Sequence, residues 1–322
     1  MKAVVHERFG PDAVELSDVP APEVTDEQVL IRVRASSVNP LEWYDVYAPP
    51  FVRLLGGQLR RPKDVRLGVD VAGTVEAVGG AVEGLVPGDE VFGTARGAWA
   101  ELAVANSSLR LARKPPEVSF EDAAGVPIAG LTALQGLRDH GEVQAGQKVL
   151  VNGASGGVGT YAVQIAKALG ADVTAVCSPR NVELAGSLGA DRVVDYTAED
   201  FTRLGVRHDL LLDVAGSRSF LACRRVLTRD ARVVVVGAKM QSSLLGPLKH
   251  IAGTYLKAIG RSQTVKFFVA KVETADLEFL ARLLADGRMR TVVDRRYDLS
   301  SVRDALAYLG EGHARGKVIV GA

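Results

Sequence analysis

Along the first third of the chain, apolar residues recur at every second position in short runs closed by glycine or proline. Val29-Leu30-Ile31-Arg32-Val33-Arg34-Ala35 is the clearest run, and its alternation predicts a strand with one face buried. Gly73 to Gly79, Asp89 to Gly93 and Ala98 to Val104 read as further strands. Leu85-Val86-Pro87-Gly88-Asp89 is a turn, because proline presets one backbone angle and glycine supplies another that side chains resist. Short strands at near-regular spacing predict a β barrel or a folded-over sheet.

The period changes near residue 120. Ser119 followed by Phe120-Glu121-Asp122 offers a helix cap with acids in the first turn, and an alanine- and leucine-rich helix is predicted to about Arg138. Beyond Gly146, strands and helices alternate. Strands are predicted at Lys148–Asn152, Asp172–Cys177, Arg192–Val194, Asp209–Asp213, Arg232–Val236 and Val265–Val269. Helices fall between them, the first from Gly157 to Leu169 and another reaching Leu227. This alternation predicts a parallel sheet wound with helices on both faces. A helix over 274–287 follows, and the tail from Thr291 returns to strands that end on Lys317-Val318-Ile319-Val320.

Composition narrows the classes. A length of 322 residues suggests two domains at about 150 residues each. With 47% hydrophobic and 24% charged residues, the chain can fill a core and is not disordered. A net charge of +1 gives no bulk attraction to nucleic acid or to an anionic membrane. The two cysteines, Cys177 and Cys223, exclude a disulfide scaffold or thiolate metal cluster and are expected as small buried residues. The N-terminus reaches charge too early for a signal peptide, and no apolar run reaches the ~20 residues of a membrane span. Cytoplasmic residence is the expectation. Leu244 to Phe268 carries Lys249, Lys257, Arg261 and Lys266 among apolar residues, as a membrane-surface helix does. Its scattered charges and interrupting glycines favour a substrate-lobe or dimer-contact segment instead.

The most informative stretch is Val149-Leu150-Val151-Asn152-Gly153-Ala154-Ser155-Gly156-Gly157-Val158-Gly159, a glycine-rich turn between a buried strand and a helix. That context is what a dinucleotide fingerprint requires. Ser155, Gly156, Gly157 and Val158 would form the turn around a pyrophosphate, whose charge the free amides at the helix start would receive. Gly159 would let the helix pack closely on its strand, while Ala154 replaces the first glycine of the usual pattern. At the end of the second strand, Ser178 and Arg180 stand where an NAD-binding fold places an acid for the ribose. A hydroxyl and a guanidinium there favour the extra phosphate of NADPH.

Several separated motifs occur in one order: Ser37-Val38-Asn39-Pro40, Gly68-Val69-Asp70-Val71-Ala72-Gly73-Thr74-Val75, Val86-Pro87-Gly88-Asp89-Glu90-Val91, the glycine turn and Leu188-Gly189-Ala190-Asp191. With the closing His313-Ala314-Arg315-Gly316-Lys317, they resemble the zinc-independent quinone oxidoreductase branch of the medium-chain dehydrogenase/reductase superfamily over essentially the whole chain. The resemblance implies an α/β protein: a GroES-like β-barrel catalytic domain from both chain ends (1–121 and 273–322) around a Rossmann doubly wound domain (122–272). It also implies a homodimer formed by pairing the last Rossmann strand, about Val265–Val269. It places the Asn39 turn and Thr132 beside the nicotinamide, and it adds Tyr196 as a contact to the NADPH phosphate.

Zinc members of the superfamily hold their metal through cysteines and a Gly-His-Glu histidine; here that stretch reads Gly68-Val69-Asp70, and the first cysteine's region reads Ser37-Val38-Asn39-Pro40. No metal is therefore expected. Lacking a Lewis acid, the site needs an acceptor that is already electrophilic, such as a quinone or an α,β-unsaturated carbonyl. Asn39 is the candidate donor to the developing oxyanion. Trp43, Tyr44, Tyr47 and Phe51 form an aromatic cluster suited to a planar substrate, or equally to a lid packed on its own domain. Tyr44 or Tyr47 could donate the proton. The alternatives are an enoyl-thioester reductase and an NADPH-binding protein with little turnover that serves a structural or redox-sensing role.

Overall fold

A computed structural model describes residues 1–47, 62, 65–237 and 246–321, with the backbone alone for 246–250. The chain divides into two compact units, Met1–Leu131 with Lys271–Ala322, and Thr132–Ala270. The division falls inside the helix Pro127–Gln135, later than the 121/122 boundary read from the sequence. The start of that helix belongs to the first unit, where the Ile128 amide donates to Asp70 Oδ1 and Gly130 packs on Leu280.

The second unit is built on six parallel strands in the order Arg192–Asp195, Asp172–Cys177, Lys148–Asn152, His208–Asp213, Leu227–Val235 and Thr264–Phe267. Chain order runs outward from the centre to one side, then returns and runs to the other. The reversal between Lys148–Asn152 and His208–Asp213 is the switch point at which such sheets bind ligands beyond their carboxyl ends. Val149, Leu150 and Val151 are fully buried, as expected for a central strand covered on both faces. Both cysteines are buried, and burial pushes their thiols up to about 11 for Cys177 and about 12 for Cys223.

The first unit holds a seven-stranded sheet. Val293–Asp298, Lys317–Gly321, Val29–Val38, Asp70–Val78, Glu90–Thr94 and Leu111–Arg113 lie side by side, and Leu102–Ala105 also pairs with Val29–Val38. The C-terminal strand Lys317–Gly321 therefore lies antiparallel to the end of a strand from the first tenth of the chain, with Val318 opposite Val38. One core cluster joins Val4, Val38, Val46 and Trp99 to Val302, Leu306 and Val318, so the two chain ends make one domain.

Several predicted elements change. The strand read over Ala98–Val104 is only Leu102–Ala105, because the preceding segment turns at Gly97 and buries Trp99 inside the unit. The helix from Ser119 to Arg138 is three pieces: Phe120–Gly125, Pro127–Gln135 and a wide turn over Gly136–His140. Pro127 starts a new helix because it has no amide to continue the old one. The strand expected from Arg232 begins at Leu227, and the last one is Thr264–Phe267 rather than Val265–Val269.

Candidate active site

The glycine turn follows directly from the switch-point strand. Gly153 takes a φ of 94°, a conformation that side chains resist, and reverses the chain above the sheet. Gly156 caps the helix Gly157–Ala168, and a Cβ there would meet nothing nearer than the Gly153 carbonyl oxygen at 3.9 Å. The turn thus leaves room for an anion at the helix start, where free amides and the helix dipole favour negative charge. Gly159 does the opposite job: a Cβ there would collide with the Gly153 carbonyl, so only glycine lets helix and turn pack this closely. Ser155, Gly156, Gly157 and Val158 are all part-exposed on this turn. Beside it, Asn152 Nδ2 donates to Asp213 Oδ1 at 2.7 Å and to Ser217 Oγ at 3.1 Å, locking the two switch-point strands together.

The neighbouring strand ends bring three predicted cofactor residues to one edge. Asp195 is in register with Cys177, and the Tyr196 amide donates to the Cys177 carbonyl at 3.2 Å. Tyr196 therefore follows its strand beside Ser178, which follows Cys177. Ser178 is half-buried and its Oγ accepts from Asn181 Nδ2 at 3.0 Å, while Arg180 and Tyr196 are exposed. The Asp195 carboxylate at this edge is occupied by the amide and hydroxyl of Thr197, at 2.9 and 2.8 Å. Thr132 is half-buried on the helix Pro127–Gln135.

The first unit carries a buried charged cluster. Ser36 and Ser37, both buried, lie near the end of Val29–Val38, and Pro40 then starts the helix Pro40–Tyr47. Asp70, fully buried, opens the adjacent strand. Its Oδ2 accepts from Ser37 Oγ at 2.6 Å, Asn39 Nδ2 at 3.0 Å and Lys317 Nζ at 3.3 Å, while Oδ1 accepts from the Ile128 amide at 3.0 Å. Lys317 also donates to Asn39 Oδ1 at 2.6 Å. Both faces of the Asn39 amide are thereby held, and one Nδ2 hydrogen remains available. Glu42 sits one helical turn on. It accepts from the Asn39 amide at 2.9 Å and from the Val69 amide at 3.2 Å, tying the Asn39 turn to the Gly68–Val69 turn. Burial pushes its carboxyl up to about 8, with the Asp70 charge adding to the effect and Lys317 opposing it. Glu42, Val69, Thr94 and Ala95 help to line a cavity of about 340 Å³ in this unit.

Residues 25–116 match the family described as alcohol dehydrogenase GroES-like domain, and residues 188–320 match that described as zinc-binding dehydrogenase. A chloroplast envelope quinone oxidoreductase homolog of Arabidopsis thaliana is 34% identical over 340 residues, covering 99% of this chain and 98% of that protein. An NADPH-dependent alkenal/one oxidoreductase of the same plant is 32% identical, over 99% of this chain and 79% of that protein. Among solved structures, the quinone oxidoreductase from Coxiella burnetii superposes with a TM-score of 0.86 at 29% identity, covering 100% of this chain and 99% of that one. The chain belongs to the zinc-independent quinone oxidoreductase branch of the medium-chain dehydrogenase/reductase superfamily. Its mixed α/β architecture, a GroES-like unit with a Rossmann-like unit, is that of the family.

One of the two matching families is described as zinc-binding, so the donor set matters. In this member of the quinone oxidoreductase branch, valine stands at position 69 and an asparagine at 39, and an ammonium group is inserted between Asn39 and Asp70. Two carboxylates and a lysine, without thiolate or imidazole, do not make a tetrahedral zinc site. Among the described residues, no group of histidine, cysteine and acidic side chains could hold a metal ion. The glycine turn and the Ser178–Arg180–Tyr196 edge do fit a phosphorylated dinucleotide.

The aromatic run is less uniform than its sequence suggests. Tyr47 stacks on Trp43 at 4.7 Å, and both pack on the core cluster of their own unit, where Gly310 leaves room for the indole. Tyr44 meets Trp43 edge-on at 5.3 Å. Neither tyrosine, nor Asn39, lines the 340 Å³ cavity. Phe51 lies outside the described residues. Asp70, Glu42 and Lys317 were missed as site residues. Each is a charged residue beside apolar neighbours, a pattern that marks burial, but nothing local in the chain links the three to one another.

Proposed function

We propose that this chain is an NADPH-dependent reductase that delivers hydride to quinones or α,β-unsaturated carbonyls without a metal. The observation that carries the reading is the cluster around Asn39, where the only buried cation among the described site residues is Lys317. An ammonium group held on an amide can orient and polarise, but it is a far weaker electrophile than zinc. The acceptor must then spread incoming charge by its own conjugation.

Bound NADPH supplies the hydride. The turn Ser155–Val158 would hold its pyrophosphate, Ser178, Arg180 and Tyr196 its ribose phosphate, and Thr132 its nicotinamide side. Asn39 presents its remaining Nδ2 hydrogen to the oxygen on which charge develops. Lys317 on the Asn39 carbonyl oxygen and Asp70 on its other Nδ2 hydrogen fix the amide's orientation before the reaction begins, which is the condition for electrostatic stabilisation of a transition state. Lys317 also draws electron density through the amide and strengthens the remaining donor. Tyr44 or Tyr47 donates the proton that completes the reduction, and water reprotonates the phenolate; burial pushes both phenols above their usual value, so each is protonated at neutral pH.

The chain is further proposed to form a homodimer along Thr264–Phe267. That strand is the outer edge of the parallel sheet, Phe267 and Val269 are exposed beside it, and an uncovered apolar edge invites pairing.

A panel of quinones, alkenals and enoyl thioesters, followed by NADPH absorbance, tests the function. Quinones or alkenals should be reduced, with NADPH preferred to NADH by on the order of a hundredfold, since each charge-assisted contact is worth roughly 1.5–3 kcal/mol. Turnover confined to enoyl thioesters would transfer the assignment to that class. Binding of NADPH without turnover of any acceptor would overturn it.

A further inference from the structure

The amino-terminal ends of the parallel strands carry a second concentration of charge. Arg207 precedes the strand His208–Asp213, Arg224 and Arg225 precede Leu227–Val235, and Gln263 precedes Thr264–Phe267. Because these strands are parallel, all lie at the amino-terminal edge, roughly 20 Å of strand length from the glycine turn. Together with Arg229 and Leu221 they line a cavity of about 560 Å³.

Two of the guanidiniums, those of Arg207 and Arg224, are held by neutral partners. Arg207 Nη1 donates to the Leu227 carbonyl at 2.8 Å. Arg224 Nε donates to Oε1 of the buried Gln263 at 3.0 Å, and Gln263 Nε2 donates to the Thr228 carbonyl at 3.1 Å. Ser262 Oγ donates to the carbonyl of Arg229, which lies in the strand Leu227–Val235. Among the described residues, none of the four arginines forms a salt bridge, although Asp230 follows Arg229 in the chain. Elsewhere in this chain part-buried arginines find a carboxylate, as Arg192 does with Glu199 and Arg232 with Glu142. Four like charges around one cavity repel each other, and an anion between them removes that repulsion. Planar guanidiniums match phosphate oxygens in pairs, and two of these are already held in place by their uncharged partners.

We propose that this pocket binds a phosphate-bearing anion, at a site separate from the cofactor edge. The test titrates the full chain with inorganic triphosphate by calorimetry, with NADPH saturating so that the anion positions of the cofactor edge are filled. One saturable site is expected. Affinity should fall by about tenfold or more in Arg224→Gln/Arg225→Gln, the loss of one or two charge-assisted contacts, with NADPH binding unchanged. Arg229→Gln gives a second, independent reading of the same pocket. Sedimentation with phosphatidylcholine vesicles, with and without phosphatidate, separates the sources. Binding that needs phosphatidate and the same arginines identifies a lipid headgroup, and triphosphate binding without it identifies a soluble ligand. Absence of binding to both probes, or equal triphosphate affinity in the variants, would overturn the proposal.

Discussion

The glycine turn and the Asp70 cluster both hold polar groups ready for charge, and they do so by opposite means. At the turn, the donors are backbone amides left over at a helix start, and the side chains nearby are small or absent. In the cluster, the polar groups are side chains from three segments far apart in the chain: Asn39 and Lys317 donate, and the carboxyls of Glu42 and Asp70 accept. The turn is part-exposed and carries no formal charge of its own, whereas the cluster buries two carboxyls and one ammonium. A site made of backbone depends on shape and is insensitive to pH. A site made of buried charges depends on each partner being present and correctly protonated.

That contrast breaks first, and most severely, at Lys317. Lys317→Met leaves Asp70 buried without its cation, which should lower the unfolding free energy by about 3–5 kcal/mol in urea denaturation. A loss within experimental scatter would mean that the cluster does not hold its unit together. Protonation gives the next effect. Glu42 in the unfolded chain titrates near 4.5 and in the folded chain near 8. Between those values the unfolded chain gives up a proton that the folded chain keeps. The contribution of Glu42 to stability should therefore be full below about 4.5 and be lost as pH rises towards 8, by on the order of a few kcal/mol. Glu42→Gln should flatten this profile, measured as melting temperature against pH; a profile as steep as the parent's would relocate the titration to another group. At the cofactor edge the effects are smaller. Arg180→Ala should leave stability unchanged, because Arg180 is exposed, and should raise the Michaelis constant for NADPH about tenfold with little change for NADH.

The two regions also differed in how far the sequence revealed them. The turn was legible because all its parts are contiguous: a buried strand, glycines at the right spacing and a helix with apolar periodicity. The motif predicts that Gly159 lets the helix pack closely on its strand, and in the structure the close approach is to the Gly153 carbonyl in the turn that follows that strand. The cluster was not legible, since nothing local links Asp70 to Lys317, 247 residues apart. Asn39 was found only through a family resemblance, and its partners only through the antiparallel pairing of Lys317–Gly321 with the end of Val29–Val38. Strand ends were misjudged where tertiary structure overrode pattern, as at Trp99, whose burial needs the positive φ of Gly68 and a neighbour without a side chain there. The aromatic run suits a planar substrate or a lid packed on its own domain equally well in sequence, and at Tyr47 the structure shows the packing, a stack on Trp43 within its own unit.

The central claim is that the two regions do separate work, with the turn and its strand-end neighbours holding the cofactor and the Asn39 cluster serving the chemical step. Steady-state turnover and NADPH dissociation constant, measured together for Asn39→Ala, test it most directly. Turnover should fall by on the order of a hundredfold, the usual effect of losing one preorganised donor, while the NADPH dissociation constant stays at the parent value. Unchanged turnover in a folded Asn39→Ala protein, or a loss of NADPH affinity that accounts for the whole effect, would contradict the account.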